Sequence, residues 1–223
     1  MVLMVSNPAR PGSHMLGDAM AALFFIAFSV FLWIESDAVA AATISHPYAT
    51  GFVKFGILAT FGECLKDRIV VGHWLPPKLA FRFLIWGVVG IWLTAAFPLF
   101  DTGLASLVAH HMWPAFPYPF WVSMWINFFG GIAFFVMFVH YWANSILDDG
   151  FIAPWDLFRR PEAPQWCKTI LLSMLFFWVP AQTITFLLPP VWRVLFAAYL
   201  GICLGLILSF AAKAGEARGE GLA

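Results

Sequence analysis

Charge is what this chain has least of. Asp, Glu, Lys and Arg make up 11% of its 223 residues, less than half of the roughly 25% found in ordinary soluble domains. So few solvated groups cannot cover a water-facing globule, which excludes a soluble fold. Cysteine is also sparse, three in all, and excludes a disulfide scaffold. The formal net charge of +0 lacks the basic excess that a nucleic-acid binder needs. Disorder is excluded by what is abundant: 62% hydrophobic residues, with 25 Phe and 12 Trp, and a mean hydropathy of +0.84. Chains that stay unfolded lack such apolar content. What remains is a membrane protein whose first partner is the lipid bilayer.

A helix needs roughly 20 mostly apolar residues to cross the hydrocarbon layer. Leu79–Phe100, Phe120–Ile146, Lys168–Leu188 and Val191–Ala212 meet that need, and Ala19–Ile34 is shorter but uncharged. The sixth candidate, Gly51–Val71, has an apolar middle with Lys54, Glu63, Lys66, Asp67 and Arg68 within or beside it. It spans only with these groups near an interface or facing a bundle interior, because each buried charge costs about 2.5–3.5 kcal/mol. The fold class is therefore an all-α, polytopic transmembrane helix bundle of about six spans. An N-terminal tail (1–18) and a C-terminal tail (214–223) flank the helical domain (19–213).

Cation placement orients the bundle. With six spans, one side holds Arg10, Lys66, Arg68, Lys78, Arg82, Arg159, Arg160, Lys168, Lys213 and Arg218, against Lys54 and Arg193 on the other. That distribution puts both termini on the cytoplasmic side, in a cell (inner) membrane or an organelle membrane. The connections agree. Thr102–Pro119 is an aromatic, proline-rich interfacial segment, Asp148–Cys167 is a charged cytoplasmic loop, and Pro189-Pro190 makes a sharp turn. Residues 1–18 carry neither a cleaved signal nor a transit peptide.

Small residues mark helix-packing faces. Arg193, Ala197, Gly201, Gly205, Ser209 and Lys213 recur every four residues on the last span, with Gly87 and Gly90 on the third and Gly131 on the fourth. Ionisable groups inside spans are functional candidates by default. Glu63, Asp67 and Arg193 are such groups, and Asn127, Gln182 and Thr185 add neutral hydrogen-bonding capacity. Two plainer readings stand beside this one: Glu63 and Lys66, three apart, neutralise each other, and Arg193 is an interfacial anchor.

Familiar enzyme chemistry is missing. The six histidines, His14, His46, His73, His110, His111 and His140, include no pair at the helical ligand spacing. There is no CxxC, phosphate-cradling Gly-rich loop or nucleophile elbow. No metal and no cofactor are expected.

Trp178, Pro180, Gln182, Thr185, Phe186, Pro190 and Arg193, followed by a long apolar helix closing on Leu208-Ser209, resemble the terminal signature of the Mpv-seventeen and 22-kDa peroxisomal membrane protein family. Pro180 comes one position later than in that pattern, Arg193 one earlier, and Thr185 replaces an Asn. Upstream, Gly62-Glu63 is similar to the family's Gly-Asp, with Asp67 where a Gln is usual. Arg82, Gly87 and Gly90 are similar to the opening of its next helix, without the later Gly-Pro. The resemblance covers about two thirds of the chain, leaves Ala19–Ile34 as an extra span, and reads as a distant, prokaryotic member. It implies an integral membrane protein, and pore-like permeation is proposed for several members.

These residues support three functions. The first is channel-like permeation of small polar solutes or anions, with Glu63, Asp67, Asn127, Gln182, Thr185 and Arg193 near the pathway. The second is a non-transporting scaffold, in which a dry interior holds Glu63 and Arg193 each paired. The third is a membrane enzyme on a lipid-soluble substrate, with a lateral cleft and clustered His or acidic groups. A homo-oligomer is compatible with each.

Overall fold

The computed structural model describes residues 11–161 and 163–220. Positions 1–10 and 221–223 of the two tails, Arg10 among them, lie outside the described residues, as do the side chains of Leu208, Lys213 and Arg218. Among the described residues every regular element is helical: α1 (Pro11–Ile34), α2 (Ser36–Ser45), α3 (Pro47–Val70), α4 (Leu79–Ala109), α5 (Tyr118–Met124), α6 (Ile132–Asp149), α7 (Ala163–Ser173), α8 (Val179–Leu187) and α9 (Pro190–Glu220). Wide π-helical turns, Trp125–Phe129 and Met174–Trp178, come after α5 and α7, and a short 3-10 helix covers Pro154–Arg159. Three of the described stretches are long and apolar enough to cross a membrane: Met15–Ile34, Leu79–Ala109 and Trp166–Leu187. A fourth is reached when Tyr118–Phe129 and Ile132–Leu147, bent by 46°, count as one. The protein is an all-helical membrane protein.

Proline and glycine set the punctuation. Pro47 and Pro190 occupy the first helical positions of α3 and α9, where a missing N–H costs nothing. The turn before Pro180 is π-helical. Widening there relieves the clash of the proline ring with the carbonyl four residues back. The expected fourth span is broken instead of continuous. Gly131 adopts φ +61° at the start of α6, and nothing stands within 4 Å of its missing Cβ. It is therefore a hinge in the chain and not a packing residue. Two further differences concern length: the segment after α1 forms α2, and α4 runs on through Thr102 to Ala109.

The long elements alternate in direction. One end of the bundle joins the start of α1 to the end of α3, where Arg68 pairs with Asp18 at 2.6 Å. At the same end Lys78, just before α4, donates to the carbonyl of Leu147 near the end of α6. The opposite end gathers the later turns of α4 and the starts of α5 and α9, through Asp101, Tyr118 and Arg193.

At the centre lies α3, packed against α4 and α9. The α3–α4 seam is a glycine seam, because only bare backbone permits helices to approach so closely. A Cβ at Gly90 would lie 2.6 Å from that of Phe55 and overlap the carbonyl of Gly51; one at Gly87 would overlap the Phe52 ring. Gly62 meets the α9 backbone at Ile202. On the other side of the molecule, Ser123 of α5 donates to the Val179 carbonyl of α8 at 2.7 Å. By contrast α1 is the most exposed long helix, with Leu23, Trp33 and Ile34 outward, and it touches the core through Phe25 on Phe61 and Ser29 on Tyr199.

The seam can be checked by thermal unfolding in detergent. Gly90→Val is expected to lower stability by about 3 kcal/mol or more, the upper range of overpacking. Gly201→Ala, whose methyl meets nothing within 4 Å, is expected to leave stability unchanged or raised.

Candidate functional site

A buried charge cluster, a partly buried one and a cavity between them form the candidate site. The first cluster centres on Glu63 of α3. Arg82 and Trp86 lie one turn apart on α4, so both reach the same carboxylate. Arg82 Nη1 donates to Glu63 Oε2 at 3.0 Å and Trp86 Nε1 to Oε1 at 2.9 Å. His140 of α6 brings its Nδ1 to 3.2 Å from Oε1 and packs its ring on Trp86 at 4.6 Å. Glu63 and Arg82 are each 6% exposed. A pair this dry holds only when further hydrogen bonds satisfy the groups around it; Arg82 Nε, for example, donates to the Pro77 carbonyl at 3.0 Å. Glu63 thus selects Arg82 and not Lys66, which lies 3.5 Å from Asp67 and keeps a 40% exposed side chain.

The second cluster closes the opposite end. Arg193 Nη1 lies 2.5 Å from Asp101 Oδ2, and its Nε donates to the Leu188 carbonyl at 3.1 Å. Tyr118 donates to Asp101 Oδ1 at 2.8 Å. The guanidinium rests on the Phe186 ring, 4.8 Å from its centroid, a cation–π contact. Phe186 in turn meets Phe97 edge-on at 5.4 Å. Arg193 therefore carries its own counter-ion.

Between the clusters is a cavity of about 120 Å³. Its walls are mainly apolar: Phe55 and Ala59 of α3, Leu93 of α4, Ile126 and Val136, and Ala197 of α9. Gly201 and Gly205 widen it along α9, and Glu63, Lys66 and His140 stand at one end. Polar groups deeper in are neutral. Asn127 donates to the Ser123 carbonyl at 2.9 Å, while Gln182 Oε1 and Trp178 Nε1 are buried with no hydrogen-bond partner among the described residues.

Helical spacing makes cavity, aromatic pair and ion pair a stack. On α4, Leu93, Phe97 and Asp101 succeed one another at intervals of four; Trp178, just before α8, and Gln182 and Phe186 on it do the same; on α9, Gly201, Ala197 and Arg193 run antiparallel to them. Each column therefore passes from the cavity wall toward the opposite cluster.

Of the residues singled out from sequence, Glu63, Asn127, Gln182, Gly201 and Gly205 line this one cavity. Arg193 lies beyond the aromatic pair. Asp67 does not line the cavity and pairs with Lys66 at its rim, and Thr185 is fully buried with its hydroxyl bonded to the Ala181 carbonyl at 3.1 Å. Gly87 and Gly90 belong to the α3–α4 seam, and Ser209 bonds back to the Gly205 carbonyl at 2.7 Å. Sequence reasoning passed over Asp101 and Trp86, weighed His140 only as a metal ligand, and used Trp178 only as part of the terminal signature. For Asp101 a signal existed, since it is one of few acids on the Arg193 side of the six-span reading. Among the described residues no three His, Cys, Asp or Glu side chains converge as metal ligands would. No family model, curated protein or solved structure matches the chain.

The Glu63–Arg82 pair makes a sharp prediction. Arg82→Met alone, which strands a buried carboxylate, is expected to cost about 3–5 kcal/mol, while pairing it with Glu63→Gln recovers most of that loss. Unfolding midpoints of both variants and the wild type in detergent measure the difference.

Proposed function

We propose that this protein is a gated membrane pathway for small polar solutes, with the described conformation closed. The observation that supports this most is the stack of cavity, Phe97–Phe186 pair and Asp101–Arg193 pair along three helices. In this reading the cavity is the half-pathway that solute enters from the Glu63 end. The two phenyl rings are a hydrophobic plug, of the kind that gates by excluding water. Asp101 and Arg193 then act as a latch: they hold α4 to α9 above the plug, and their separation would free Phe186 from the guanidinium resting on it. The family resemblance of the C-terminal spans points the same way.

The topology proposed with it has six spans. Although α3 is too charged, and the apolar run Pro190–Cys203 of α9 too short, to qualify by composition alone, each is held inside the bundle by its neighbours. Alternation of the long elements and the one-sided cations support a topology with both termini on the cytoplasmic side of a cell membrane.

One observation favours a second reading. Glu63 and Arg193 are both paired, as a non-transporting scaffold requires. That reading leaves the cavity between them without a role, since packing would fill it.

Liposomes carrying the wild-type protein should exchange tracer glycerol faster than empty ones. Phe97→Ala and Asp101→Asn, which open plug and latch, should each raise the rate about tenfold, the effect of ~1.4 kcal/mol on a barrier. Vesicles as tight as protein-free controls for all three proteins would sink the pathway and leave the scaffold. Independently, reporters active only in the cytoplasm, fused to either terminus, should both give signal; a signal from one end alone removes the six-span topology.

A further inference from the structure

We infer that the cavity is a binding site for small uncharged molecules bearing a hydroxyl or amide group, and that it rejects ions of the same size. The inference deepens the pathway reading, because it names what would pass, and it rests on that reading for its transport consequence only.

The charges around the cavity are already occupied. Glu63 has Arg82, Trp86 and His140 on its two oxygens, so an entering cation finds no free carboxylate. Lys66 stands at the rim beside Asp67, and Arg82 is bound to Glu63 and the Pro77 carbonyl. An anion therefore meets no cation in the deep half either. An ion moving inward would lose its hydration with no free opposite charge to replace it, only neutral dipoles, which is the costliest event in a low-dielectric interior.

A neutral solute faces a different balance. The deep half is lined by Asn127, Gln182 and Trp178. Gln182 is 4% exposed, and its Oε1 lacks a partner among the described residues; so does the indole N–H of Trp178, four residues earlier at the end of the wide turn that leads into α8. Together they are an unmet acceptor and an unmet donor. A hydroxyl or amide group supplies both complements, and the apolar walls accept its carbon skeleton. Buried polar groups left unpaired are rare and costly, so a ligand that pairs them gains what water-exposed groups would not give. Size sets the upper limit. A dry protein cavity of about 150 Å³ holds benzene, so 120 Å³ suits molecules of about six heavy atoms.

The test uses fluorine NMR of the full-length protein in micelles, with trifluoroethanol as the neutral probe and trifluoroacetate as its ionic counterpart. Two variants separate the cavity from the micelle: Gly201→Leu fills the space, and Gln182→Leu keeps the shape while removing the amide. Trifluoroethanol should show line broadening about tenfold above that in Gly201→Leu, equivalent to ~1.4 kcal/mol of binding. Gln182→Leu should remove most of it, and trifluoroacetate should show none. Trifluoroacetate broadening equal to that of trifluoroethanol, or trifluoroethanol broadening unchanged by both substitutions, would overturn the inference. Tight liposomes together with intact trifluoroethanol binding would retire the pathway and leave the site.

Discussion

A charge carried into hydrocarbon must bring its own counter-charge, and much of this architecture stems from that constraint. The helix with the most charge near its centre, α3, cannot face lipid and so occupies the middle of the bundle. Its Glu63 then requires a cation, and Arg82 at the start of α4 supplies it. Its Lys54, also buried, donates to Thr43 of α2 at 2.7 Å, which ties the short second helix down. The uncharged outer half of α1 makes no such demand, and α1 stays at the periphery. Along the bundle's middle, radial position thus tracks polarity in the sense opposite to a soluble fold, with Lys54, Glu63 and Arg82 buried and the bulky apolar side chains of α1 outward.

Glycine does two opposite things within this arrangement. Where Gly51 and Gly90 face each other, the lost side chains let two backbones touch. Where Gly201 faces outward from α9 toward α6 and α8, no second helix moves in, and the lost side chain becomes empty volume. The difference lies in the opposing surface. α4 offers glycine to α3, whereas the α5–α8 half offers Val136, Met137 and Trp178, too bulky to close up. One residue type at one spacing therefore builds both the tightest seam and the cavity.

How much of this was legible in the sequence depends on range. Apolar length is a local sum, and it gave an all-helical membrane chain with most helix positions. Even the broken span had a visible cause in Gly130-Gly131. Pairing was not legible. Short-range rules nominate Lys66 for Glu63, yet Lys66 extends toward the exposed edge, where its ammonium stays solvated. Arg82, nineteen positions away, takes the carboxylate instead. Asp101 and Arg193 are separated by 92 positions, and no periodicity connects them. His140 escaped because its partner is a carboxylate and an indole rather than a second metal ligand. Gln182 was found for its polarity, but that its oxygen would lie buried without a partner depends on the helices that surround it.

The wide turn at Met174–Trp178 controls the phase of every later residue on α8. Each residue of an α-helix advances the face by about 100°, so one residue accommodated in a widened turn rotates all later side chains by that amount. Gln182 and Phe186 both lie downstream on α8, one at the cavity wall and one in the plug. Their shared orientation is therefore set at a single point in the backbone. A turn that tightened back to α-helical geometry would swing polar wall and aromatic plug away from the axis in the same movement, like two cams on one shaft.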